Sequence, residues 1–303
     1  MKVLITGATG FIGRALVASL LADGHAVVAL TRNPIDGARA LDRRAMLVRW
    51  DGRTAAGWAA HLDGADAVVN LAGENVSAGR WSASMKRHIL QSRLDAAAAI
   101  VEAMHQIERK PRVLIQASGI GAYGHDDEKI FTEDDPFGAG FLAEVSRRWE
   151  PATAAVEAWG VRRAIVRTAM VLGRGGALAK MLPAFKLFVG GPIGTGKQGL
   201  PWIHLADEVG AIRFLIDRDD LSGPFNLVAP ETVTSAEFAV ALGRALGRPA
   251  KLATPGFALK ILFGEMADEM LLNGQRALPK RLQEAGYTFR FPTLVGALED
   301  ILR

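Results

Sequence analysis

The chain has 303 residues, half of them hydrophobic, with 33 glycines and no cysteine. That length can bury a large core, and the missing cysteines exclude disulfides, thiol nucleophiles and cysteine metal ligands. A formal net charge of +4 comes with only short, scattered basic pairs and no aromatic interleaving, so no nucleic-acid partner is expected.

Residues 2–6 (Lys2-Val3-Leu4-Ile5-Thr6) read as a buried parallel strand. The strand runs into Gly7-Ala8-Thr9-Gly10-Phe11-Ile12-Gly13 and then an apolar-periodic helix over 10–22. Strand, glycine-spaced turn and helix together are the context that a dinucleotide fingerprint requires. Gly7 permits the tight turn, Gly10 lets backbone amides approach a pyrophosphate, and Gly13 lets the helix lie close to the strand. The helix N-terminus then faces the phosphates with its partial positive charge.

Further strands are predicted over 26–31, 46–49, 67–71, 113–117 and 164–168, with helices over 82–104 and 142–159. This alternation predicts a parallel sheet with right-handed crossovers. The texture changes at Gly173, and Gly- and Pro-rich text follows, from Gly190-Gly191-Pro192 to Pro201. After it come a helix over 206–215, a returning strand over 225–228, and helices over 235–246, 256–272 and 279–285, the last ending at Gly286. A strand over 288–291 and a helix over 294–302 complete the chain. The expected fold is α/β: a Rossmann-type doubly wound parallel sheet with a smaller, mainly helical C-terminal lobe. Residues 1–172, with 203–220 returning to them, form the dinucleotide-binding domain, and 173–202 with 221–303 form a substrate lobe.

The end of the second strand selects the cofactor. Leu30-Thr31-Arg32-Asn33-Pro34 carries no carboxylate for a ribose 2′-hydroxyl, and Arg32 suits a 2′-phosphate through forked, charge-assisted hydrogen bonds. NADP(H) is therefore expected. Asp51, after the third strand, is either a hydrogen-bond partner for the adenine edge or the first residue of an Asp-Gly turn. Six scattered histidines show no metal spacing, so no metal is expected. Gly194-Thr195-Gly196-Lys197 is not a P-loop, because Gln198 stands where a Ser or Thr is needed and the strand-to-helix setting is absent. No apolar stretch reaches the ~18 residues of a membrane span. The first strand starts at once, with an apolar run too short for a signal peptide, which predicts a cytoplasmic protein with no membrane partner.

These residues resemble the extended short-chain dehydrogenase/reductase superfamily. The resemblance is carried by Thr6 to Gly13, Asn70-Leu71-Ala72-Gly73 after the fourth strand, Ser118 through Tyr123-Gly124 after the fifth, Arg167-Thr168, and Trp202-Ile203-His204-Leu205-Ala206-Asp207. It narrows to an atypical branch of epimerase-family proteins, some of which are also named after a cell-division inhibitor. Three blocks mark that branch: Gly73-Glu74-Asn75 through Arg80-Trp81 to Ser92-Arg93, Phe141 to Glu150, and a C-terminal block from Gly264-Glu265-Met266 through Gln275-Arg276 and Leu278-Pro279-Lys280-Arg281-Leu282 to Phe289-Arg290-Phe291-Pro292. The resemblance implies cofactor contacts from Gly7, Thr9, Gly10, Phe11, Ile12, Gly13, Arg32, Asp51, Leu71, Ala72, Gly73, Arg93 and Ser118. It also implies a small-molecule substrate, and a monomer or a homodimer.

Superfamily chemistry uses a tyrosine as general acid/base, with a lysine four residues on whose charge lowers the tyrosine's pKa. This chain has two tyrosines; four beyond Tyr123 is Asp127, and four beyond Tyr287 is Phe291. The expected window, 141–150, contains neither tyrosine nor lysine. Two readings follow. In one, an oxidoreductase or epimerase-like enzyme uses other groups: Ser118 and Tyr123 as the catalytic candidates, with Glu144, Ser146 and Glu150 behind them. In the other, NADP(H) is a structural or sensing ligand and the protein acts through a partner protein. Asn75, Arg80, Trp81 and Arg93 are expected around the active-site mouth, and His204 and Asp207 in a structural role.

Overall fold

The computed structural model describes residues 1–303. In chain order the first half runs β1 (Lys2–Thr6), α1 (Phe11–Ala22), β2 (Ala26–Thr31), α2 (Pro34–Ala40), β3 (Met46–Arg49), α3 (Ala59–Leu62), β4 (Ala67–Asn70), α4 (Ala83–Gln106), β5 (Val113–Gly119), β6 (Ile130–Phe131), α5 (Phe141–Trp149) and β7 (Arg162–Thr168). It continues with β8 (Met170–Leu172), α6 (Gly176–Lys186), β9 (Trp202–His204), α7 (Leu205–Asp217), β10 (Gly223–Leu227), α8 (Ser235–Leu246), α9 (Gly256–Phe263), α10 (Glu265–Ala267), β11 (Arg276–Ala277), α11 (Lys280–Glu284) and α12 (Leu294–Leu302).

Seven parallel strands form the main sheet in the order β10-β7-β5-β4-β1-β2-β3, with the order reversing beside β1. The strands are apolar on both faces because helices cover both. Val3, Ile5, Val69 and Ile115 face one side and pack on Leu16 and Leu20 of α1 and Ile212 and Leu215 of α7. Leu4, Val68 and Leu114 face the other and meet Ala96, Ile100 and Ala103 of α4. Leu178, Trp202, Phe238, Leu242, Leu294 and Leu298 build a third core beneath the C-terminal lobe.

Four of the departures from the sequence expectations have a clear local cause. The helix expected over 142–159 is α-helical only to Trp149 and continues as a 3-10 helix, Glu150–Trp159, because Pro151 has no amide hydrogen to donate. The helix expected over 256–272 breaks at Gly264, which takes φ +61° and separates α9 from α10; a π-helical turn, Asp268–Leu272, follows. No strand forms over 288–291, because the Arg290 and Phe291 amides donate to the Asp207 carboxylate (2.7 and 2.8 Å) instead of to a neighbouring strand. Finally, residues 223–227 belong to the main sheet as its edge strand rather than to the smaller lobe, paired with β7 along its length.

Candidate cofactor and substrate site

The turn between β1 and α1 is made of backbone packed too tightly for side chains. Gly7 sits at φ +66°, and a Cβ there would lie 2.6 Å from the Leu71 carbonyl oxygen. At Gly13 a Cβ would fall 2.3 Å from the Gly7 oxygen and 2.7 Å from the Ala8 Cα. Gly10 caps α1 with extended backbone and no capping side chain. The Gly10 amide closes the turn onto the Gly7 oxygen at 3.0 Å, and Arg14 is the first residue of α1 whose amide finds a helical acceptor. The amides of Phe11, Ile12 and Gly13 therefore have no acceptor of their own and point out of the helix end. Thr9 is half-buried beside them. Such a cradle fits the pyrophosphate of a dinucleotide. The Phe11 ring holds down the loop after β8: a Cβ at Gly173, Gly175 or Gly176 would come within about 3 Å of it.

A ladder of buried amide groups ties the ends of the central strands together. Thr6 Oγ1 donates to Asn70 Oδ1 (2.7 Å), Asn70 Nδ2 to Gln116 Oε1 (3.0 Å), and Gln116 Nε2 to the Ala117 carbonyl (2.9 Å). The Ala72 amide returns to Thr6 Oγ1 at 3.2 Å, which fixes Leu71-Ala72-Gly73 over the cradle. Arg93 lies beneath Gly73. Its Nη1 donates to the carbonyls of Glu74 (3.0 Å) and Ile89 (2.7 Å), and its guanidinium stacks 4.8 Å over Trp149. Burial pushes its pKa down to about 10, so it stays charged at neutral pH. Arg93 thus clamps the loop after β4.

On the adenosine side, Arg32 follows the buried end of β2 and is exposed, with no acidic partner. Asn33 is occupied in capping α2, accepting from the amides of Ile35 and Asp36. Asp51 is exposed and opens the turn after β3. Its carboxylate takes hydrogen bonds from the Thr54 and Arg53 amides and the Thr54 hydroxyl, and those bonds hold its pKa down. It is the turn residue of its loop.

The two catalytic candidates lie inside a buried network rather than at a free surface. Ser118 donates to Glu150 Oε1 at 2.7 Å. Arg167 grips the same carboxylate with two hydrogen bonds, Nε to Oε1 (2.9 Å) and Nη2 to Oε2 (3.0 Å), and donates from Nη1 to the Tyr123 hydroxyl (2.9 Å). Tyr123 donates onward to Asn226 Oδ1 (2.7 Å), and the Asn226 amide donates to Glu133 Oε1 (2.9 Å). Tyr123 is 2% exposed, and burial pushes its pKa up to about 12. A hydroxyl already donating to Asn226 and accepting from Arg167 has no proton to offer a substrate. Ser118, 7% exposed, donates to a Glu150 carboxylate whose two oxygens already accept from Arg167, so that partner has no free oxygen from which to pass a proton back. Neither is placed as an acid/base group; both join the sheet to the elements behind it. Glu144 is exposed and paired with Arg147 at 2.7 Å, while the Ser146 hydroxyl on α5 makes no hydrogen bond.

A roof comes from the loop after β4 and the C-terminal lobe. Asn75 accepts from Ser77, Trp81 donates to the Val76 carbonyl, and Arg80 donates to the Ile261 carbonyl of α9 (3.0 Å). Trp81 packs on Phe141 edge-on and joins Ile89, Val145 and Met266 in a small apolar cluster. Glu269 reaches across from the C-terminal lobe to accept from the Phe141 and Leu142 amides at the start of α5. His204 caps α7 by accepting from the Ala206 amide, and Asp207 anchors the segment at 290–291, so both are structural. Polar residues in otherwise apolar strands (Asn70, Gln116, Arg167, Asn226) were the readable signal for these networks.

Residues 3–227 match the NAD dependent epimerase/dehydratase family, and residues 254–301 match a domain of unknown function, DUF1731. The epimerase family protein ML0860 of Mycobacterium leprae is 40% identical over 98% of this chain and 94% of its own. The human epimerase family protein SDR39U1 is 37% identical over the whole of both chains. A crystal structure of human SDR39U1 (isoform 2) with NADPH superposes with a TM-score of 0.89 at 35% identity, covering 100% of this chain and 99% of that one. No helix here is long and apolar enough to cross a membrane. The seven-stranded sheet, the glycine cradle and relatives of this similarity along the entire chain show that the protein belongs to the NAD dependent epimerase/dehydratase family, in the branch that carries the DUF1731 domain.

Proposed function

We propose that this protein is an NADP(H)-dependent oxidoreductase or epimerase-like enzyme, with its substrate in the cleft between the C-terminal edge of the sheet and the roof formed by residues 75–81 and the C-terminal lobe. One observation carries the cofactor assignment: the open amides of Phe11, Ile12 and Gly13 stand at one end of the groove, and the unpaired Arg32 stands at the end of β2. Amides at a helix end suit a pyrophosphate, and a free guanidinium suits the 2′-phosphate. The NADPH bound to human SDR39U1 supports the same reading. When bound, the nicotinamide supplies or accepts a hydride at C4. This chain's residues bind it, clamp the loop above it and close the cleft.

The test is a pair of titrations by tryptophan fluorescence, one with NADPH and one with NADH. NADPH is expected to bind at least tenfold more tightly, and equal or tighter binding of NADH would overturn the assignment. A second reading, an NADP(H)-binding protein that acts through a partner, is favoured by the commitment of Ser118 and Tyr123 to the buried network. Turnover separates the two: oxidation of NADPH by a carbonyl or sugar-nucleotide substrate supports the enzyme. Tight cofactor binding with no turnover supports the partner reading.

A further inference from the structure

At the C-terminal end of β7 the chain carries a polar pair that no part of the cradle or the Ser118 network uses. Thr168 stands opposite Gly119 in the β5–β7 ladder and is half-buried at the edge where open α/β sheets hold their ligands. Its hydroxyl meets Glu208 Oε1 at 2.8 Å. Glu208, on α7, is 0% exposed, and its other oxygen, Oε2, has no partner at all. A buried carboxylate with one empty oxygen is costly, so the group is stable here as a neutral acid. No other charged group acts on it, and burial pushes its pKa up to about 8. The groups on neighbouring elements are otherwise engaged. Asp207 accepts from the amides at 290–291, the Tyr287 hydroxyl donates to the Asp207 carbonyl, and the His204 imidazole faces Asp300 at 3.4 Å.

We infer that Thr168 and Glu208 form a proton relay that supplies the acid the missing tyrosine–lysine pair would have supplied, with Thr168 touching the substrate oxygen and Glu208 holding the proton behind it. The inference rests on the hydride-transfer reading above. In the reducing direction the C=O π bond breaks, the carbonyl carbon gains the hydride and the oxygen gains the Thr168 proton. NADPH is thereby oxidised to NADP⁺. Rotation of the Glu208 carboxyl brings its O–H to Thr168 Oγ1, which is reprotonated as Glu208 becomes a carboxylate. Once product leaves, the proton is returned to the buried Glu208 through the half-buried Thr168 hydroxyl, which solvent then reaches. Oxidation runs the same proton path in reverse. An acid that titrates near working pH is the effective kind.

The test uses the full chain, NADPH and phenanthrenequinone, an ortho-quinone whose carbonyl accepts a hydride and a proton. Glu208→Gln is expected to lower kcat roughly hundredfold with NADPH affinity unchanged, in keeping with the loss of a general acid. It should also remove the fall in kcat that the wild type shows as pH rises through about 8. Thr168→Val should match it, Thr168→Ser should restore the rate, and the double variant should be no slower than either single one. Independently of turnover, infrared spectroscopy of the cofactor-free protein at pH 7 should show a protonated carboxyl band that Glu208→Gln abolishes. Thermal stability gives a third readout. The folded pKa is raised, so Glu208 is without cost below its ordinary range and destabilises increasingly as pH climbs toward 8; Glu208→Gln should therefore melt higher than wild type at pH 9 and level with it near pH 5. A wild-type rate and pH profile in Glu208→Gln, or no protonated carboxyl band at pH 7, would overturn the relay alone. A wild type that binds NADPH and never oxidises it would overturn the hydride-transfer reading and the relay with it.

Discussion

The β1–α1 cradle and the wall of buried side chains around Glu150, just past α5, are built on opposite principles. In the cradle, the work falls to the backbone: Gly7 and Gly13 are glycines because a Cβ would strike the Leu71 carbonyl or the Gly7 carbonyl, and the amides left open make up the proposed binding surface. In the wall, function belongs to side chains, and those present are turned toward one another. Glu150 binds Ser118 and Arg167, Arg167 binds Tyr123, and Tyr123 binds Asn226. A binding surface made of main chain needs only the right spacing of small residues. An acid/base site needs one free functional group at one point, and the wall offers none.

The comparison breaks most sharply at Arg167. Replacing it by Met leaves Glu150 buried and unpaired, which should cost about 3–5 kcal/mol of stability, measured by urea unfolding. A loss no larger than the ~1 kcal/mol of a surface pair would mean that water reaches the network and that the wall is not a structural unit. Gly13→Ala probes the cradle. The clash with the Gly7 oxygen should cost about 1–3 kcal/mol and, unlike the change at Arg167, should abolish NADPH binding even where the fold persists. Retained affinity would show that the dinucleotide lies elsewhere.

Tyr123→Phe separates a structural hydroxyl from a catalytic one. Removing it strands Asn226 Oδ1 and one Arg167 donor, which should cost about 1–3 kcal/mol with NADPH affinity and turnover unchanged. A large fall in kcat at full cofactor affinity, in a variant that melts cooperatively, would return Tyr123 to the catalytic role that its place after β5 first suggested.

The same contrast explains what could be read from the sequence. β1, β2 and β3 fall where periodicity puts them, and α8 and α12 do too, because local pattern and capping decide them. The cradle was legible for the same reason: its glycine spacing is local and the contacts of Gly10 and Gly13 lie within a few residues, although the Gly7–Leu71 contact does not. The Ser118–Glu150 bond spans 32 positions and the Tyr123–Asn226 bond spans 103, so no local pattern announces them. Residue type did signal that something was buried there, since Arg167 and Asn226 interrupt apolar strands, but the partner was not readable. α6 was missed because glycines open it and Pro183 sits inside it, both marks of a loop. The strand expected over 288–291 failed because the Asp207 carboxylate took its amides, a competition that local pattern does not contain.

In the proposed reading Arg32 is the charged side chain that contacts the cofactor, and it should give the smallest of these effects. It is exposed and unpaired, so Arg32→Ala removes no folded contact and the melting temperature should not move. Under the proposed NADP(H) assignment it removes a charge-assisted, forked hydrogen bond to the 2′-phosphate, partly screened by solvent and worth about 1.5 kcal/mol, or roughly tenfold in affinity. That loss should fall on NADPH alone and leave NADH binding unchanged, so the ratio of the two dissociation constants is the readout. It should also shrink with added salt, because an exposed charge pair is screened over about 10 Å at 0.1 M. A loss shared equally by both cofactors would place Arg32 on the adenine or the pyrophosphate instead. Discrimination would then rest with the backbone of the cradle, and the division of labour between main chain and side chain would fail at the point where it is most exposed to test.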